Sequence, residues 1–115
     1  MDIDGLATFQ QVHAVLTGAA KNGQPITYSD AMKAIGWSHV HTYQRNVFAY
    51  MLKAVANAEL GAGNPPLTAV IVSKDHGLPN PSFFEFARSE ARLRKDETDA
   101  EYWKREIVRV YDHWK

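Results

Sequence analysis

The chain has 115 residues, with 13 basic and 13 acidic side chains, 45% apolar residues and no cysteine. That length fits one domain with a packed core, and the missing cysteine excludes disulfides, thiolate metal sites and cysteine nucleophiles. The balanced charge excludes a polybasic nucleic-acid binder and leaves any phosphate affinity to a local patch.

In chain order, Leu6, Phe9, Val12, Leu16 and Ala19 recur at helical steps and predict an amphipathic helix over 6–20, stopped by Asn22-Gly23. Pro25 favours extended chain into Ile26. Thr27 is an N-cap signal with Asp30 three positions on, so a short helix follows with Ala31, Ala34 and Ile35 inward and Gly36 as its stop. After a loop over 37–42, a helix is predicted from Tyr43 to Leu60. Val47, Met51, Ala54, Val55 and Ala58 form its buried stripe, and Gly61, Gly63, Asn64 and two prolines end it. Leu67–Val72 is the one strand signal; with a turn at Lys74–Gly77 and a return near Gly77-Leu78 it predicts a wing-like hairpin. Ser82 caps a helix from Phe83 to about Arg94. A last helix starts at Thr98 or Asp99, with Tyr102, Trp103, Ile107, Val110, Tyr111 and Trp114 on one face.

This order predicts a mostly helical α+β fold: a winged helix-turn-helix core over about 6–80, with a β-hairpin wing, and C-terminal helices over 82–115, all in one domain. The acidic start Met1-Asp2-Ile3-Asp4 is unlike a signal peptide. The longest apolar run is far shorter than the ~20 residues that span a bilayer, so a cytoplasmic protein without membrane contact is expected.

The stretch Gly23 to Gly36 (GQPITYSDAMKAIG) resembles the DNA-binding domain of the alkylguanine-DNA alkyltransferases and alkyltransferase-like proteins. There a Gly-x-Val-x-[Thr/Ser]-Tyr pattern leads into a short helix ending in Ile-Gly or Ala-Gly, and a recognition helix with an Arg-x-Val core follows. Arg45-Asn46-Val47 stands in that place here, and Pro66–Ile71 stands where the family has Pro-Cys-His-Arg-Val-Val, with Gly77 after it. The resemblance spans about residues 23–80. It implies that Tyr28 lies against a DNA phosphate and that Arg45 enters the base stack. Leu67 replaces the acceptor cysteine, and Thr68 and Ala69 replace the histidine and arginine. Leucine has no nucleophilic atom, so alkyl transfer is not expected.

The expected DNA-contacting residues on the helix-turn-helix (about 27–60) are Tyr28, Lys33, His39, His41, Gln44 and Arg45. The two histidines flank Val40 without a nearby carboxylate to complete a metal set, so phosphate contact is their functional reading. No nucleophile elbow or phosphate-cradling loop is present: Gly61-Ala62-Gly63-Asn64 follows a helix and no lysine follows it. A non-enzymatic DNA-binding protein without cofactor is therefore expected. The alternative is a protein-interaction or inhibitor module, or a homodimer, using Trp103, Tyr111 and Trp114 of the aromatic tail.

Overall fold

The computed structural model describes residues 5–115, so the acidic start over 1–4 lies outside the described residues. The elements run α1 (Gly5–Asn22), β1 (Ile26–Thr27), α2 (Tyr28–Ala34), α3 (Thr42–Gly61), a 3-10 turn (Leu67–Val70), β2 (Ile71–Val72), α4 (Pro81–Ser89) and α5 (Asp99–Trp114). The fold is mostly helical α+β. No described helix is long and apolar enough to cross a membrane.

Local chemistry sets most element ends. The Thr27 hydroxyl accepts the Asp30 N–H at 3.2 Å, which satisfies one of the free donors that start α2. Gly36, at φ +79°, ends it: its N–H donates to the Lys33 carbonyl and the Trp37 N–H to that of Met32. Thr98 and Glu101 form a reciprocal capping box at the start of α5. The helix predicted to reach Arg94 stops at Ser89. There Ala91 takes a left-handed conformation (φ 54°), and the Arg92 N–H closes back onto the Ala87 carbonyl.

The predicted strand over Leu67–Val72 is mostly something else. Its first four residues form the 3-10 turn, with the Ala69 N–H donating to the Pro66 carbonyl at 3.0 Å. All four of their side chains are buried, because the turn passes between α1, α3 and α5 and has no solvent side. The β-branched, apolar composition that marks a strand there also suits a fully buried turn, so composition alone does not separate the two. Only Ile71 and Val72 are extended, and they pair in parallel with Ile26 and Thr27 across the α2–α3 crossover.

The predicted wing hairpin is likewise absent among the described residues. The segment after β2 closes on itself: the Ser73 N–H donates to the Leu78 carbonyl at 2.8 Å and the Gly77 N–H to that of Ser73 at 2.9 Å. Pro79 and Pro81 follow and lack the N–H groups a longer ladder needs.

The main core gathers Val12, Leu16 and Ala20 of α1, Phe48, Met51 and Val55 of α3, the 3-10 turn, and Ile107 and Val110 of α5. The buried phase of α1 differs from the sequence pattern: Thr8, Val12, Leu16 and Ala20 are inside, whereas Leu6 is exposed and Phe9 half-buried. In α2, Ala31 and Met32 are buried and Ala34 is exposed. In α3, Phe48 and Glu59 replace the expected Ala54 and Ala58 in the buried stripe. Glu59 tolerates this site because His13 Nε2 and Asn64 Nδ2 each lie 2.7 Å from its carboxylate. A satellite cluster of Phe84, Ala87 and Tyr102 joins α4 to α5.

Candidate functional site: a cavity beside the third helix

A cavity of about 420 Å³ opens between α3, α4 and the start of α2. Leu52, Phe83 and Phe86 give it apolar walls, and Tyr28 forms a further wall. The Tyr28 hydroxyl accepts the Asn80 N–H at 2.7 Å, which ties the segment before α4 to the start of α2. Burial pushes the Tyr28 phenol pKa up, and the Asn80 N–H partly offsets this. The phenol therefore stays protonated and retains its own O–H to donate.

Thr68 and Ile71, both buried, lie at the back of the cavity. The Thr68 hydroxyl makes no hydrogen bond within the described residues and is not sealed off, so it opens to the cavity. Lys53 and Glu85 put one charge of each sign on the lining. Leu67, standing at the family's acceptor position, is fully buried and does not line the cavity.

The other expected contact residues cluster on α2, α3 and their connection. Lys33 is exposed in the last turn of α2, and His39 and His41 are exposed in the connection. Gln44 is half-buried and works locally: its Oε1 accepts the Ser38 N–H at 2.8 Å. Arg45 is exposed and folds back, with Nη1 donating to the His39 carbonyl at 3.0 Å. That partner is neutral, so the guanidinium charge is not cancelled by any carboxylate among the described residues. By helical spacing, Arg45 shares a side of α3 with Ala49, Leu52 and Ala56 of the cavity wall. Tyr28, expected to lie against a DNA phosphate, forms part of that cavity's wall.

Cations outnumber exposed carboxylates along this unit, whose exposed carboxylate is Asp30 in the first turn of α2. Between Asp30 and Glu59 the sequence holds Lys33, Arg45 and Lys53 and no carboxylate. Glu59 is buried against His13, so it does not offset that surface.

The aromatic tail is committed inside the fold. Trp103, Tyr111 and Trp114 are half-buried and pack on the main core, with Trp103 Nε1 donating to the Ala69 carbonyl at 2.8 Å. Trp114 meets the His13 ring edge-on at 5.8 Å between centroids. The helix is held further by Arg105, which forms a two-pronged pair with Glu97 and also reaches Glu106. The Arg105 contact holds the Glu97 carboxyl down at about 2.

Two groupings come only with the structure. Thr68, Phe83 and Phe86 reach the cavity only through long-range packing. Tyr43, Asn46, Tyr50, Lys53 and Asn57 form an exposed stripe along α3. Their steps of three and four can be counted in the sequence, opposite the apolar stripe, whereas their exposure is set by the fold. No family model matches the chain, and no curated protein or solved structure matches it significantly.

Proposed function

We propose that the chain is a non-enzymatic DNA-binding protein on a mostly helical scaffold, docking the α2–α3 helix-turn-helix on DNA and receiving a displaced base in the cavity. The observation that carries this is the cavity's position. It lies against the Arg45 side of α3, where Lys53 and Glu85 of α4 are the two charged side chains on its lining and Arg45 stands one turn before Ala49 of its wall. An arginine there can fill the gap a displaced base leaves, by stacking and hydrogen bonding. Aromatic walls from Tyr28, Phe83 and Phe86 suit a flat heterocycle, with the Tyr28 and Thr68 hydroxyls available to its edge. The resemblance to the alkyltransferase group supports the same docking, and Leu67 limits the outcome to holding the base.

Fluorescence anisotropy with a labelled duplex across a salt series tests the docking. Few phosphates can be neutralised by so few cations, so log Kd should change with log salt with a slope of about 2–3. Arg45→Ala should weaken binding and reduce the rise in 2-aminopurine emission that reports an unstacked base. Absence of binding, or a 2-aminopurine signal that never rises, would overturn the proposal.

A further inference from the structure

We infer that the outward stripe of α3, formed by Tyr43, Asn46, Tyr50, Lys53 and Asn57, binds unpaired bases, so that the preferred partner is DNA with a single-stranded or open segment. This rests on the DNA-binding reading above and names the form of DNA that reading requires.

Three observations carry it. First, the five positions step by three, four, three and four, so they form one continuous row over about 21 Å of helix. All five are exposed, Tyr43 to 63% and Tyr50 to 69%. Second, none of the five side chains has a hydrogen bond, ion pair or ring contact with another described residue. Arg45 on the same helix, by contrast, is engaged with the chain itself. Third, the sequence from Ala31 to Ala58 holds Lys33, Arg45 and Lys53 and no carboxylate, and the carboxylate that shares the cavity lining with Lys53 is Glu85 of α4.

The chemistry of the row selects its occupant. Two tyrosine faces seven residues apart, about 10 Å along the axis, are spaced to take two bases rather than to sandwich one. Stacked duplex bases present edges to a groove and keep their faces covered; only unpaired bases offer a face to an aromatic ring. Asn46 and Asn57 bring amides that pair with base edges, and Lys53 brings a phosphate partner beside them. Phosphate neutralisation by so few cations gives weak binding, and stacking supplies affinity that needs no further charge.

The test measures Kd by anisotropy at about 0.1 M salt, where surface charges are screened within ~10 Å. The probes are a labelled oligo(dT), a matched duplex, and the same duplex with a central unpaired bubble. Oligo(dT) and the bubble should bind about ten-fold tighter than the matched duplex. Tyr43→Ala and Tyr50→Ala should each weaken oligo(dT) binding about ten-fold and duplex binding much less, while Tyr43→Phe and Tyr50→Phe retain it. Both tyrosines are exposed, and circular dichroism checks that each variant is folded. Equal affinity for the three DNAs, or Ala variants that bind oligo(dT) like the wild type, would overturn the inference while leaving duplex docking intact. Sedimentation of a wild-type dimer that Tyr50→Ala separates would overturn it in favour of a second copy of the chain. Binding to none of the probes would overturn the DNA-binding reading as well.

Discussion

Trp103 joins α5 to the 3-10 turn in two ways, and substitution can separate them. Its ring packs against the main core, and its Nε1–H donates to the carbonyl of the fully buried Ala69. Trp103→Phe keeps an aromatic ring but leaves that carbonyl without its donor, a cost of about 1–3 kcal/mol. Trp103→Ala removes the ring as well. Deleting a buried Trp typically costs ~3–5 kcal/mol, and because Trp103 is half-buried the lower end applies, about 3 kcal/mol. For a domain of this size that corresponds to a fall in Tm of about 12 °C. Urea unfolding followed by circular dichroism gives both differences, and sedimentation at the same concentrations gives the association state. If Trp103→Phe unfolds like the wild type, the hydrogen bond contributes nothing. If Trp103→Ala is as stable as the wild type and instead separates a dimer, the aromatic face of α5 is covered by a second chain and the packing argument fails.

Other predictions follow from the same contacts. His13→Ala leaves buried Glu59 with Asn64 as its single side-chain donor and should cost about 1–3 kcal/mol; adding Glu59→Gln should recover part of this in a double-mutant cycle. Ala91→Gly should stabilise the chain by about 0.5–1 kcal/mol in urea unfolding, because Ala91 sits at φ 54°, where a Cβ is strained. The folded Glu97 carboxyl lies at about 2 against an ordinary 4.5, so it contributes stability above pH 4.5 that is lost as pH falls towards 2. Wild type should therefore be more stable than Glu97→Gln at neutral pH, with the difference closing across that acid range; a constant difference would refute the Arg105 pairing. Leu67→Cys should not create alkyl transfer from alkylguanine DNA, because position 67 is fully buried and does not line the cavity; an unchanged protein mass after incubation is the expected result.

The sequence by itself determined the helices, their order and most of their ends. Thr27, Gly36 and Thr98 act through bonds to residues a few positions away, so their signals are complete in the local sequence. Tyr28 stands in a short sequence motif and lines the cavity, whereas Arg45, singled out with it, stands beside the cavity and not on its lining. Tertiary structure alone decided the rest. Leu67–Val70 has the composition of a strand, but it is enclosed by three helices, where that composition also suits a fully buried turn. Ile71 and Val72 had two possible partners, a following hairpin strand or distant Ile26 and Thr27, and the α2–α3 crossover placed the distant pair alongside. Glu59 reads as a solvated carboxylate until His13, 46 residues away, arrives to pair with it. The cavity depends in the same way on α4 folding over α3. Thr68 and Phe83 acquire a shared surface only through contacts that no local pattern encodes, because packing joins residues by distance in space rather than by separation in sequence.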